Sequence, residues 1–500
     1  MMTSHKKETN RPATGPIRKT GSQQAGPEQV SSGQHGKMET GRVPCSSITL
    51  TSRTPGRPMG IARNTIKLLM IALVCWLPAG VAWADGAVYA MTNALGYNQI
   101  LVYHRAANGN LVLVQTVATG GGGSGLQLAA VDVLGSANSL QLDEGHRLLF
   151  AVNTETASEN SGVGAYNSDC RQGTITSFRV ASDGMLTFAD NVFSGGLFPN
   201  SIALRKSAES GDLLYVLNAG GPGNCGVSPN ITGFQVNASG RMQPVGSAQA
   251  VSPGPAAGTG ENCVDAADFG GLFGQPAADY DCGLNPPSFP RSPGQVQFTP
   301  DGNQLIVTVK GTSSIYVFPV ENGRAGEPNI TQAALPALPT SFGFAFDKNE
   351  HLLVSEAFGA ATAIPANNAG AVSSYTVTGK GGVLPISSHV GDEGTGACWL
   401  ALEPIDGKYA YASNSLSNNL STYSVGKDGS VTLVSAVAAT GAGPNDLAIA
   451  GEGGASFLYV IYAGTGTVGA YGIDLANGSL TTLTGGSGLP TTSAEGLAAF

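Results

Sequence analysis

The sequence predicts an all-β chain: a seven-bladed β-propeller of four-stranded antiparallel blades, with the ring closed by the C-terminal strand joining the N-terminal blade. Three observations carry this. A short phrase recurs seven times, as "ANSLQL" (137–142), "PNSIAL" (199–204), "PGQVQF" (293–298), "SFGFAF" (341–346), "ACWLAL" (397–402), "PNDLAI" (444–449) and "AEGLAA" (494–499). Most copies lead through a polar turn such as "PDGN" or "IDGK" into a second apolar run, among them "LLFAVN", "LLYVLN", "LIVTV", "LLVSE", "YAYASN" and "FLYVIY". A third run alternates with period two ("ITGFQV", "SIYVFPV", "NLSTYSV"), then comes a glycine turn and a fourth short strand. Strands of this kind, four to a unit and about 50 residues apart, can bury their faces only against neighbouring units, which is how a propeller is built.

Taken in order, the chain begins with residues 1–58, polar and without hydrophobic period, which read as a disordered leader or a misplaced start. Residues 59–84 then read as a secretory signal peptide. They combine a basic start at Arg63 and Lys67, an apolar run from Leu68 to Leu77, and the small-residue pattern Ala82-Trp83-Ala84. Pro78 and Gly80 interrupt the run well short of the ~20 apolar residues a membrane span needs, so no span is expected after cleavage. Residues 85–500 form one propeller domain. Its first second-strand run, "AVYAMT" (87–92), has no phrase before it, and the last phrase has no second strand after it. The last phrase therefore supplies the innermost strand of the first blade. Residues 252–292 are read as an inserted loop.

Charge and cysteine content restrict the function classes. The first 84 residues hold 11 Lys and Arg and 3 Asp and Glu, so the remainder keeps 14 basic and 31 acidic residues, a formal charge of −17. That excludes nucleic acid and anionic lipid as natural partners, since both require a basic face. Export makes disulfides possible, and Cys263 and Cys282, bracketing an acidic stretch, are the expected pair. Cys170 and Cys225 lie in corresponding loops and could also bridge, whereas Cys398, beside Trp399 at a strand start, is expected as a buried free thiol. No C-x-x-C spacing occurs, which disfavours zinc. The acidic stretch 261–283 lacks the spacing of a calcium loop, so no metal and no cofactor is expected.

The phrase itself reads as packing: small residues let seven inner strands converge around a narrow axis. Its first positions and the ends of the second strands should share one rim, and there the copies disagree. Asn200, Gln295, Asn445, Asp446 and Glu495 are candidate binding residues, with Trp399 as a ligand-stacking ring. Glu356 and Lys310, at the ends of two second strands, are the candidate catalytic pair, because a carboxylate near a lysine can have a shifted pKa. The glycine pattern in "GPGNCG" (221–226) sits between strands with no helix to follow and does not make a nucleotide site. The four histidines after residue 84 are scattered, two in turns (His146, His351) and two in outer strands (His104, His389).

The texts "SPGQVQFTPDGNQLIVTVKGTSSIYVF", "FGFAFDKNEHLLVSEAFG" and "ACWLALEPIDGKYAYASNSLSNNLSTYSV" resemble the lactonase family of seven-bladed propellers, which includes propeller-type 6-phosphogluconolactonases and fungal carboxymuconate cyclases. The resemblance covers residues 87–500. It implies hydrolysis or formation of a lactone by acid–base chemistry in the central channel, without an obligatory metal. The family's His-x-His falls on Ser292 and Gly294 here, its Asp-Leu-Gly-x-Asp on Val309 to Ser313, and its Asn-Arg-Gly on Asn414-Ser415-Leu416. Glu356 alone matches its strand-end glutamate. Loss of the arginine that would face an anionic substrate points away from a phosphorylated lactone. Two functions follow as expectations. One is an exported, periplasmic or extracellular, monomeric lactonase or lactonising cyclase acting on a non-phosphorylated lactone, with Glu356 as base and Lys310 polarising the carbonyl. The alternative is a non-catalytic propeller, similar to YVTN-type repeat proteins, that binds a protein or glycan through its rim and insertion loops.

Overall fold

A computed structural model describes residues 86–124, 132–156, 172–205, 212–220, 228–251, 293–332, 339–357 and 368–500. Residues 1–85, expected to hold a leader and a signal peptide, residues 252–292 with Cys263 and Cys282, and Cys170 and Cys225 lie outside the described residues.

The chain folds as the seven-bladed propeller that its repeats predict. Blade 2 shows the plan, with Leu140–Asp143 innermost, then Leu148–Asn153, Thr174–Val180 and Leu186–Phe193 outermost, each antiparallel to its neighbour. Blades 3 to 7 begin with inner strands Pro199–Arg205, Pro293–Phe298, Ser341–Phe346, Ala397–Leu402 and Pro444–Glu452. Blade 1 takes its inner strand, Leu497–Ala499, from the far end of the chain; it pairs with Ala87–Met91 through Val88↔Ala499, Tyr89↔Ala498 and Ala90↔Leu497. That strand also lies against the inner strands of blades 7 and 2, so the ring is continuous.

Strand alternation explains the packing between blades. In blade 5, Leu352 and Val354 point toward Ile306, Ile315 and Val317 of blade 4, whereas Leu353 packs with Ala410, Ala412 and Tyr423 of blade 6. Each sheet is thus apolar on both faces, and its core is the seam with the next sheet. One glycine follows the third strand of every blade (Gly109, Gly184, Gly240, Gly323, Gly381, Gly429, Gly478), with φ between +74° and +85°. Residues with a Cβ rarely adopt this conformation. The carbonyl freed at that turn is used between blades. Tyr89 donates to Gly184 O at 2.8 Å, Tyr215 to Gly323 O at 3.1 Å, Tyr411 to Gly478 O at 2.9 Å and Tyr459 to Gly109 O at 3.0 Å.

Candidate functional site

The strand register brings the predicted rim together. Pro199 pairs with Asn218, Pro293 with Val309, Ser341 with Glu356, Ala397 with Asn414, and Pro444 with Tyr462, so inner strands begin where second strands end. Inner strands fan apart too far to share backbone ladders, and side chains at the phrase positions bridge them instead. Gln295 accepts from Phe344 N and donates to Phe344 O, both at 2.8 Å. Asn200 Nδ2 donates to Pro293 O at 3.1 Å, Asn445 Nδ2 to Ala494 O at 2.9 Å, and Asp446 Oδ2 accepts from Gly496 N at 2.9 Å. Ser355 Oγ, on the second strand of blade 5, reaches Cys398 O at 2.5 Å.

Across this mouth runs a segment that belongs to no strand. Residues 132–137, in the connection from blade 1 to blade 2, are buried throughout, and elements from around the ring hold them. Glu495 Oε2, from the blade 1 closing strand, accepts from Val133 N and Leu134 N, each at 3.0 Å. Lys310 Nζ, on a short 3-10 turn after the second strand of blade 4, donates to Gly135 O and sits 5.0 Å from the centroid of the Phe342 ring. Trp399 Nε1 donates to Ser136 O at 2.9 Å, and its ring meets Phe342 edge-on at 5.4 Å. Ser136 Oγ donates to Asn200 O at 2.6 Å, and Ala137 N to Gly294 O at 3.0 Å. We call this segment the strap.

The strap brings its own acid, Asp132, whose Oδ1 accepts from Gly135 N at 2.6 Å. Asp132 Oδ2 and Glu495 Oε1 are buried without a hydrogen-bond partner, and each carboxyl influences the protonation of the other. Burial, before any other influence, raises both carboxyls above the usual carboxylate range, and their mutual repulsion adds to the rise at Glu495. Asp446, also buried, is pushed up to about 8, chiefly by burial. Lys310 is brought down to about 8 because burial disfavours its charge more than Asp132, Cys398 and Glu495 support it. Cys398 is a buried free thiol, as expected, and burial pushes it up. The mouth therefore holds three acids raised above the ordinary carboxylate range and an amine lowered from its own, alongside two hydrogen-bond donors aimed at carbonyl oxygens.

Lys310, Trp399, Asp446 and Glu495 converge here, with Asn200 behind Ser136. Glu356 does not join them. It shares the face of Leu352 and Val354, in the seam between blades 4 and 5, and its Oε2 lies 2.6 Å from Nδ1 of His389 on the outer strand Val383–Gly391. His389 holds a backbone φ of +52°, and its N–H is bonded to Ser373 Oγ at 2.9 Å. Other second-strand ends behave similarly: Asn153 Nδ2 bonds Thr174 and Thr176 of its own blade, and Asn414 Nδ2 bonds Asn419 and Ser421. His146 and His351 each lock a turn on an aspartate, Asp143 at 2.9 Å and Asp347 at 2.8 Å. No group of three His, Cys, Asp or Glu is arranged to hold a metal among the described residues. No described helix is long and apolar enough to cross a membrane.

Asp132 was not among the candidates because it stands outside the repeats. The available signal was length: the outer strand of blade 1 ends at Ala118 and the inner strand of blade 2 begins at Leu140, whereas Thr440 and Pro444 make the same junction between blades 6 and 7.

Residues 291–493 match the family model "Lactonase, 7-bladed beta-propeller". That stretch covers blades 4 to 7 of the ring. No curated relative matches the sequence. Among solved structures, the periplasmic gluconolactonase of Pseudomonas aeruginosa aligns with a TM-score of 0.57 at 17% identity, covering 83% of this chain and 98% of its own. A Bacteroides fragilis protein provisionally named a 6-phosphogluconolactonase aligns with a TM-score of 0.55 at 15% identity, covering 83% and 98%. A Lactobacillus plantarum protein aligns with a TM-score of 0.55 at 17% identity, covering 83% and 99%. At these identities the likeness concerns the fold.

Proposed function

We propose that this protein is an exported lactonase that hydrolyses a non-phosphorylated lactone at the strap-covered mouth, with Glu495 as general base. The observation that carries the reading is the convergence of Lys310 Nζ and Trp399 Nε1 on the neighbouring carbonyls of Gly135 and Ser136, beside the buried Glu495 carboxyl. An ester carbonyl in place of those strap carbonyls would meet the same two donors. Glu495 would take a proton from water as the water oxygen adds to the acyl carbon. The ammonium of Lys310 and the indole N–H of Trp399 would stabilise the oxyanion. As the ring C–O bond breaks, Glu495 would return the proton to the leaving oxygen, giving the hydroxy acid; a carboxyl raised above its ordinary range by burial suits both halves of that exchange. The missing arginine and the formal charge of −17 after residue 84 support a neutral or aromatic lactone over a phosphorylated one.

The test is pH-stat hydrolysis of neutral, aromatic and phosphorylated lactones by the full chain and by Glu495→Gln. Loss of about 10²–10⁴-fold in kcat is expected for the variant. Turnover that survives in Glu495→Gln but vanishes in Glu356→Gln would move the base to the Glu356–His389 pair. No acid release from any lactone by folded protein would favour a non-catalytic propeller that binds a protein or glycan.

A further inference from the structure

We propose that Asn322 is a site of spontaneous deamidation, and that its conversion to isoaspartate loosens the seam between blades 3 and 4.

The sequence holds three Asn-Gly pairs, Asn108-Gly109, Asn322-Gly323 and Asn477-Gly478. Each occupies the turn after the third strand of its blade, and each glycine carbonyl accepts the hydroxyl of a tyrosine from the preceding blade, Tyr459, Tyr215 and Tyr411 respectively. Asparagine before glycine is chemically weak, because no Cβ on the glycine shields its backbone nitrogen from the side-chain amide beside it. That nitrogen adds to the asparagine Cγ, the Cγ–Nδ2 bond breaks, and ammonia leaves with the proton from the glycine nitrogen. Water then opens the five-membered imide. Opening at the side-chain carbonyl gives aspartate. Opening at the main-chain carbonyl gives isoaspartate, whose backbone runs through Cβ and Cγ and is one methylene longer.

Two of the three turns keep the reacting groups engaged. Gly109 N donates to Ala106 O at 2.8 Å, and Asn108 Oδ1 accepts from Asn110 N at 3.2 Å. Gly478 N donates to Asp474 O at 2.7 Å, while the Asn477 amide accepts from Ser479 N and donates to Asp474 Oδ2, both at 2.8 Å. Both of these glycines are buried. At the third turn neither the Asn322 side-chain amide nor the Gly323 N–H is bonded to any group among the described residues. Asn322 is exposed and Gly323 half-buried. Their φ angles, +50° and +76°, are those of a two-residue hairpin turn. Only two residue pairs close it, Val320↔Ala325 and Glu321↔Arg324. So short a hairpin opens locally at little cost, which lets Cγ swing onto Gly323 N. The turn borders an open crevice of about 610 Å³, lined by Pro319, Glu321, Asn322, Arg324, Ala325 and Gly326, through which water reaches the imide.

Tyr215 carries the consequence. It is 2% exposed, and its hydroxyl donates to Gly323 O at 3.1 Å and accepts from Ala325 N at 2.7 Å. An extra methylene before Gly323 breaks the two-residue turn that aims this carbonyl at the tyrosine. The buried hydroxyl then loses its acceptor, in the seam where Leu213 and Tyr215 of blade 3 pack with Phe318 and Ala325 of blade 4.

Peptide mapping by mass spectrometry of the full chain, aged in mildly alkaline buffer, tests the site. Deamidation adds about 1 Da, and fragmentation across the inserted methylene tells isoaspartate from aspartate. Asn322 should convert about tenfold faster than Asn108 and Asn477, the factor expected from the hydrogen bonds those two sites must first break. Equal rates at the three sites, faster conversion at Asn108 or Asn477, or an Asn322 that stays intact overturns the assignment. Hydrogen–deuterium exchange of peptides containing Ala325 reads the seam. Exchange should rise about tenfold in the isoaspartate fraction and stay at the wild-type level in freshly prepared Asn322→Asp, which carries the charge without the methylene. Unchanged exchange in the isoaspartate fraction overturns the loosening of the seam, and an equal rise in Asn322→Asp overturns its backbone cause.

Discussion

At the level of single residues, the mouth shows how a repeat marks its own exceptions. Lys310, Trp399, Asp446 and Glu495 stand out in the sequence because each breaks the pattern of its six counterparts, and all four meet around one segment. Glu356 stands out equally, but the deciding fact is which way its strand faces. Alternation with Leu352 and Val354 turns it into the seam between blades, where His389 meets it. That could not be read from the phrase alone, since the partner lies 33 residues away on another strand. Trp399, predicted to stack on a ligand, is buried and bonded to the strap. Replacing it by phenylalanine keeps most of the apolar contact and removes the donor to Ser136 O. The buried carbonyl then loses its partner, and urea unfolding should show a loss of about 1–3 kcal/mol. An unchanged midpoint would mean that the strap does not depend on this bond.

At the level of elements, the strands were legible and the strap was not. A strand with both faces buried against neighbouring blades writes itself as an apolar run, and four such runs between glycine turns repeat too regularly to mistake. The strap has no period to display. Its role rests on backbone groups bonded by distant side chains, and backbone groups leave no signature in a sequence. The inner strands are a case where composition and geometry agree. A Cβ added at Gly343 would lie 2.6 Å from Cys398 O and 3.2 Å from Trp399 Cα, so blades 5 and 6 would have to part. Gly343→Ala should therefore destabilise the protein by about 1–3 kcal/mol. It should also disturb the near-ultraviolet circular dichroism of Trp399; a silent substitution would show that the inner strands converge less tightly than described.

At the level of the whole molecule, one residue latches the ring. Arg105, 2% exposed, donates through Nε to Phe500 O at 2.8 Å, pairs through Nη2 with Glu452 Oε2 at 2.8 Å, and lies 5.7 Å from the centroid of the Phe457 ring. It ties the closing strand of blade 1 to blade 7. The exposed Glu452 contributes little, but the buried charge-assisted bond to Phe500 O is worth about 1.5–3 kcal/mol. Arg105→Met should lower the thermal midpoint and make the C-terminal strand the first site of limited proteolysis, whereas cleavage elsewhere first would place the weak point in another blade. The same closure sets a timetable for synthesis. Asn93 Nδ2 and its acceptor Glu495 O are 402 residues apart, and at roughly 5–20 residues per second a ribosome needs on the order of 20–80 s to make the stretch between them. For that interval blade 1 exists without its innermost strand and Glu495 has not yet been made. The chain must therefore remain an incomplete arc until Glu495 and the closing strand have been translated, and the mouth can be assembled only after that point.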